Sequence, residues 1–488
     1  MNVRDRQQKN DNADRRIRFL FLEGIAMQFQ VSYSFRTKIT TSLLMAGLFV
    51  FMLLIPSARA QGQSQERLMT VIEAVQTALV ENHEIRALQS ATQAQEMDIG
   101  IARSYLLPRI SFEERYLRTT NPTYAFMSRL NQERIGEQDF NPELLNRPDA
   151  INDFQSSLTV EQPLFVKKAY IALGMSKTEA RAKNQELIRK REDIAFQVVK
   201  ACLTLVSAKQ YARAVALGVE DAREHKRVAD LRYKNGLGQY ADSLRASTAL
   251  MEARQKKNIA DKYVSLAKRG LGLLLATTES IDVDDPGIDL PLNDLATYVK
   301  AAESRSDIRA AHLRHENAEQ NIKKAEADYF PNIGVGGTYQ LNDHNQPFGS
   351  EGKSWQVMAF LRWDLFDGTK REYERAKAKH LAAQAQEHVS AMKKGVSFKI
   401  YEAYMNVDET RKNIDLTREA LKTAEEGTRL FKLRYENGFS PLADLLNAQS
   451  SLEQARAGLV ERENAYKVAL ATLSFESGTI LEDLKIDK

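Results

Sequence analysis

The sequence predicts a mainly α-helical protein with a β-barrel portion, built from two long helical hairpins and four membrane-length strands per chain. Three observations lead there. The 488-residue chain repeats itself. Two stretches of about 70 residues contain no helix breaker beyond single glycines. The short segments between helices alternate apolar and polar residues, the period of a strand with two different faces.

The repeat is explicit. Leu231-Arg232-Tyr233-Lys234-Asn235-Gly236 returns as Leu433-Arg434-Tyr435-Glu436-Asn437-Gly438, an offset of 202. Tyr240-Ala241-Asp242-Ser243-Leu244 returns in register as Leu442-Ala443-Asp444-Leu445-Leu446. Upstream, Ile85-Arg86-Ala87 with Pro108 and Ile110 is echoed by Ile308-Arg309-Ala310 with Pro331 and Ile333, at an offset of 223. The 21-residue difference assigns a longer loop to the first copy. The copies span residues 61–290 and 291–488, each reading as helix, strand, loop, strand, very long helix, tight turn, helix. Duplication of this kind points to an architecture built by symmetry.

Residues 70–107 are helical in pattern and end at Pro108. The long helices cover about 167–235 and 369–437, rods of roughly 100 Å at 1.5 Å per residue. Ile194, Val198, Ala201, Leu205, Ala208, Ala212, Val215 and Val219 alternate steps of four and three, and Val396, Ile400, Ala403 and Val407 repeat the opening of that series. Such a pattern specifies a coiled-coil seam, and its alanines bring helices close. A filamentous coiled coil would explain the rods but not the strands between them.

The strands are expected at about 109–118, 153–162, 332–341 and 355–364. Ile333, Val335, Gly337, Tyr339 and Leu341 alternate with Asn332, Gly334, Gly336, Thr338 and Gln340. One face suits lipid and the other water. Trp355, Val357, Ala359, Leu361 and Trp363 form a second stripe whose tryptophans fit the two bilayer interfaces, as does Tyr339. In the first copy Phe154, Ser156, Leu158 and Val160 alternate, but Glu114 interrupts Ile110, Phe112 and Tyr116. Amphipathic hairpins on a soluble core are the alternative. Four strands cannot close a barrel, and lipid does not tolerate an open edge, so a membrane reading requires a barrel shared among chains.

Arg36 and Lys38 precede an apolar run over 43–55 and then Ser57-Ala58-Arg59-Ala60, the layout of a secretory signal peptide cleaved before Gln61. A retained anchor is the alternative, and either Met1 or Met27 is the start. Residues 1–60 hold nine Lys/Arg and four Asp/Glu, a net of +5 in a chain of net +4, leaving the mature protein near −1; no nucleic-acid partner is expected. Cys202 is the single cysteine, so no intrachain disulfide forms.

Catalytic patterns are absent, and neither an enzyme nor a cofactor or metal is expected. His312 and His315 read as surface residues. Gly334-Val335-Gly336-Gly337 lies in a strand, where glycine eases bending and packing. Asp282, Asp284 and Asp285 beside Pro286-Gly287 lack the spacing of a calcium loop and read as a linker between the copies.

The tip of each hairpin is the most closely shared feature. Asn235-Gly236 and Asn437-Gly438 supply the left-handed stop that ends a helix. Asp242 and Asp444 stand in the first turn of the returning helices, where the helix dipole favours an acid. In a ring of hairpins the same acids would also line a narrowed mouth.

The duplicated plan, the segments Leu106-Leu107-Pro108-Arg109-Ile110 and Tyr329-Phe330-Pro331-Asn332-Ile333, Gln162-Pro163-Leu164-Phe165 with its echo Trp363-Asp364-Leu365-Phe366-Asp367-Gly368, and the tip motifs resemble the TolC-like outer-membrane efflux proteins over residues 65–480. The resemblance implies a homotrimer with a shared twelve-strand barrel in outer-membrane lipid and an α-helical barrel in the periplasm. It further implies passive export, energised by an inner-membrane transporter joined through a periplasmic adaptor (membrane fusion) protein. It places adaptor docking at Asn235, Gly236, Leu237, Asn437, Gly438 and Phe439. It places the periplasmic gate at Asp242 and Tyr435, with Ser440 where the family's closing Arg would stand. Of two acidic ring positions, Asp444 is kept and the second is Asn447, which implies weaker cation block and preference. The loop at 118–152 becomes external, a candidate lid. Drug or metal efflux, type I protein secretion and a periplasmic coiled-coil adaptor or scaffold are the functions left in competition.

Overall fold

The computed structural model describes residues 67–284, 287 and 290–486; the leader read from residues 1–60, and Asp285-Pro286, lie outside the described residues. The chain opens with a short strand β1 (Arg67–Met69), followed by α1 (Val71–Glu81) and α2 (His83–Ser104). The single helix expected over 70–107 is therefore two. Asn82 makes the break: its side chain accepts from Glu84 N at 2.9 Å, capping α2, and donates to the Leu274 carbonyl at 2.9 Å.

Strand β2 (Arg109–Thr119) leads to the first long loop, which holds α3 (Pro122–Asn131), a 3₁₀ turn (Glu137–Phe140) and α4 (Pro142–Asn146). Asn121 and Asn141 cap α3 and α4, each with Pro at the first helical position. Strand β3 (Ile151–Phe165) returns from the loop. Its buried Asp153 accepts from Gln132 Nε2 at 2.9 Å, from Asn342 Nδ2 at 3.0 Å and from Ser128 Oγ at 3.3 Å, which locks the helical cap to the sheet.

The first rod, α5 (Lys167–Lys234), contains 68 residues, and α6 (Tyr240–Leu274) folds back along it. Strand β4 (Ile281–Val283) pairs in parallel with β1, so the expected linker is a structural tie. Asp282 receives Lys209 at 2.8 Å and Lys268 at 2.9 Å, and these two cations hold its carboxyl below the usual range against the opposing effect of burial. The second copy runs α7 (Leu295–Ala302), α8 (Ser306–Glu326), β5 (Asn332–Asp343), β6 (Gly352–Arg362), the 67-residue rod α9 (Lys370–Glu436), α10 (Leu442–Ser477) and a final turn α11 (Ile480–Asp483). No described helix is long and apolar enough to cross a membrane.

The seam is as expected at most of its positions, while Ala201, Ala208, Ala212 and Val215 are half-buried. Ile194, Val198, Leu205, Val396, Ile400, Ala403 and Val407 are all buried. The main core gathers α1, the middle of α5, β1, β4 and α11, with Cys202 fully enclosed; its second-copy counterpart joins Tyr298 and Ile308 to the α9 seam. Burial pushes the Cys202 thiol up to about 12. Beside this core Arg305, itself buried, donates to Asp307 Oδ2 at 2.8 Å and Glu476 Oε2 at 3.0 Å, pinning the start of the second copy to the end of the chain.

The four long strands form one antiparallel sheet in the order β2-β3-β5-β6. Register aligns Phe112, Leu158, Tyr339 and Trp355 in one cross-strand row, and all four are substantially exposed. The next row is Glu114, Ser156, Leu341 and Lys353. Glu114 thus interrupts the face as the sequence suggests, standing between the Phe112 row and the Tyr116–Phe154 ring pair at 4.7 Å. Trp363 stands just past the other end of β6, its Nε1 donating to the Tyr329 carbonyl at 3.2 Å. From Trp355 to Trp363 is nine residues, the length a tilted strand needs to span about 30 Å of hydrocarbon. On the opposite face Thr159 and Thr338 hydroxyls meet at 3.1 Å, and Phe360 lies over Gly334, where a Cβ would come within 2.5 Å of the ring.

Candidate functional site

The two rods end in tips built from the same bonds. Leu237 N donates to the Arg232 carbonyl at 2.8 Å and Gly236 N to the Tyr233 carbonyl at 3.0 Å; Phe439 N and Gly438 N repeat this to Arg434 at 2.7 Å and Tyr435 at 3.0 Å. Paired bonds of this kind close a helix on a left-handed residue, and Gly236 and Gly438 have φ of +67° and +80°. Asn235 and Asn437 are the last caps, Asn437 Nδ2 donating to the Leu433 carbonyl at 2.8 Å. The turns push Leu237 and Phe439 into solvent at 68% and 76% exposure.

Behind the turns the tips differ. Tyr435 is buried in a cluster with Ala229, Ala246, Leu442 and Leu445. Arg232 of the first tip reaches across to the second, Nη1 donating to the Glu436 carbonyl at 2.7 Å and the guanidinium standing 5.2 Å from the Tyr435 ring centre, while Nη2 donates to the Leu237 carbonyl of its own tip at 3.0 Å. Burial raises the Tyr435 hydroxyl pKa, the Asp242 carboxylate adds to the rise, and Arg232 opposes it. Asp242 is thus within electrostatic reach of Tyr435 but makes no hydrogen bond to it. The Tyr435 hydroxyl and the Ser440 Oγ are both buried without a partner among the described residues. Asp444 stands in the first turn of α10, half-buried, and Asn447 is exposed along the same helix.

One level above, polar groups sit in the seam. His225 Nε2 lies 3.4 Å from Gln449 Oε1, and Gln449 Nε2 donates to Asp221 Oδ2 at 3.0 Å, which also accepts from Arg456 Nη1 at 3.0 Å. Burial lowers the His225 pKa; Gln449 and Asp221 act against that shift and Lys432 adds to it. Residues His225, Gln449 and Arg232 escaped the sequence reading. A signal for the first two exists, since His225 falls between Ala222 and Ala229, and Gln449 between Leu445 and Leu452, at seam spacing.

The sequence model of the outer membrane efflux protein family matches the chain twice, over residues 74–277 and 297–479. The chain belongs to the outer membrane efflux protein family. Curated relatives of this efflux protein include CyaE of Bordetella pertussis, 23% identical over 413 residues, covering 83% of this chain and 82% of that protein. TolC of Salmonella enteritidis is 21% identical over 435 residues, covering 84% and 82%. Among solved structures, VceC of Vibrio cholerae superposes with a TM-score of 0.68 at 17% identity, covering 84% of this chain and 96% of that one. CmeC of Campylobacter jejuni gives 0.69 at 16%, covering 86% and 90%. Membership makes this an outer-membrane protein of the efflux class, and the fold expected from the repeat, mainly helical with a strand portion, is the one these structures share.

Proposed function

We propose that three copies of this chain form the outer-membrane duct of a tripartite efflux system, passing substrate passively from an inner-membrane transporter and a periplasmic adaptor to the exterior. The observation that carries this reading is the four-stranded sheet, whose outer strands β2 and β6, 11 residues each, leave their far edges unpaired among the described residues. In lipid those edges must find partners. Pairing β6 of one copy with β2 of the next closes twelve strands in a trimer. The aromatic row and Trp363 then mark the two lipid interfaces.

The rods extend the duct by roughly 100 Å, and the tips form its inner mouth. Leu237 and Phe439 are the docking surface for the adaptor. Asp444 lines the mouth as a single acidic ring, while Asp242, Tyr435 and Ser440 hold the tips closed with Arg232 as the cation between hairpins. The copies 61–290 and 291–488 act as two near-equivalent staves, following a leader that directs export. Extraction of the outer-membrane fraction in detergent, with mass determination and planar-bilayer recording, tests the reading. A trimer with discrete conductance steps supports it; a soluble monomer without conductance overturns it.

A further inference from the structure

The loop joining β5 to β6 collects three metal-type donors within nine residues. One carboxylate oxygen each from Asp343 and Glu351 and a ring nitrogen of His344 lie within 4.8 Å of one another. Asp343, at the end of β5, is only 5% exposed. Its Oδ1 accepts from Asn345 N at 2.7 Å and Gln346 N at 3.1 Å, whereas Oδ2 has no hydrogen-bond donor among the described residues. That oxygen is not sealed from solvent, and on a side chain otherwise enclosed it is the one left to meet a cation. Gly349 lets the loop close over this oxygen, since a Cβ there would stand 2.1 Å from Oδ2. His344 Nδ1 contacts Glu351 Oε2, and the His344 backbone N donates to the same oxygen at 3.2 Å, so the two outer donors are already brought together.

The loop is also drawn down onto the sheet. The Phe348 ring stacks on Phe112 at 6.1 Å, and Phe348 N donates to Glu114 Oε1 at 3.3 Å. Loop position and donor cluster are thus coupled through residues 343–351.

We propose that Asp343, His344 and Glu351 form a divalent transition-metal site that pins this loop to the rim of the sheet. An imidazole with two carboxylates suits Zn²⁺ and its neighbours over Mg²⁺ or Ca²⁺, which favour oxygen alone. Three protein donors leave a position open to water or an outside ligand. The inference does not depend on what the duct carries or in which direction.

The test strips the full-length detergent-solubilised protein with chelator and titrates Zn²⁺ alone, counting bound metal after desalting and following tryptophan emission, since Trp355 lies close behind Glu351 in the chain. One Zn²⁺ per chain is expected, resisting excess Mg²⁺ and Ca²⁺. H344A and E351Q, neither of which touches the Asp343 turn bonds, weaken it by roughly tenfold or more, while H312A/H315A leaves it intact. Chelation should speed proteolysis at 344–351 in the wild type and change nothing in H344A. Equal Zn²⁺ binding by H344A, or equal displacement by Ca²⁺, overturns the site. Proteolysis indifferent to chelator overturns the pinning.

Discussion

Tyr233 and Tyr435 occupy the same place in the same repeated motif, yet Tyr233 is 46% exposed and Tyr435 3%. Tyr233 packs loosely on Tyr240 at 5.2 Å, while Tyr435 lies in a closed apolar cluster under Arg232. Their backbones agree bond for bond, so local sequence sets the turn in both copies. What separates them is which hairpin covers the other: the first tip lends its arginine and its Ala229 and Ala246 faces to the second. Duplication supplied two identical ends, and packing gave only one of them an interior.

That contrast breaks most visibly at the tyrosines. Tyr435→Ala should cost about 3–5 kcal/mol of local stability as a large-to-small change in a filled cluster, seen as rapid proteolysis at 433–442. Tyr233→Ala should stay within about 0.5 kcal/mol. Comparable losses at both positions would mean that the tips are not packed asymmetrically.

The arginines come next. Arg232→Ala removes one charge-assisted bond between hairpins, to the Glu436 carbonyl, and one within its own tip, to the Leu237 carbonyl, worth about 2–4 kcal/mol together, and should raise bilayer open probability and tip hydrogen exchange. Arg434→Ala, the same residue in the other copy, should leave both near wild type.

A smaller effect belongs to the acids. Where the second copy has Asn447 after Asp444, the first has Arg245 after Asp242. Asn447→Asp doubles the charge of the proposed ring and should tighten trivalent-cation block about tenfold, because a narrow low-dielectric mouth focuses the field. Asp444→Asn should abolish the block. Conductance insensitive to both would move the selectivity ring elsewhere.

The smallest concerns pH. His225 is buried, and its place in the other copy is taken by Gly427. Burial depresses its folded pKa below the unfolded value of about 6.5. The unfolded chain then takes the proton first, so stability is full above about pH 6.5 and declines as pH falls through that region. Neighbouring Asp221, Glu224 and Gln449 limit the decline, and Lys432 adds to it. The melting temperature should fall by a few degrees between pH 7.5 and 5, and His225→Gln should flatten the slope.

The rods were legible because Ile194, Val198 and Leu205 keep the 3.5-residue rhythm, and β5 and β6 because their alternation is clean. The level of Glu114 was not legible, since it follows from cross-strand register with Ser156, Leu341 and Lys353. The break at Asn82 rests on a contact with Leu274, 192 residues away. Strands β1 and β4 have three residues each, too few for a period to show. The helices in the first loop leave a readable trace, Asn-Pro at 121–122 and again at 141–142. At the tips, Asp242, Tyr435 and the turn glycines follow from the motif. Arg232 does not, because its acceptor is a backbone carbonyl in the other copy, 204 residues on.

Cys202 carries a practical consequence. With the chain's only thiol fully enclosed and its pKa pushed to about 12, almost no thiolate exists at neutral pH. The native protein is therefore silent toward maleimides, methanethiosulfonates and disulfide crosslinkers. A single cysteine placed at Leu237 or Phe439 becomes the one addressable handle on an otherwise unaltered molecule, so distances between copies in the proposed trimer and the opening of its proposed mouth can be probed by a label without first engineering a cysteine-free background.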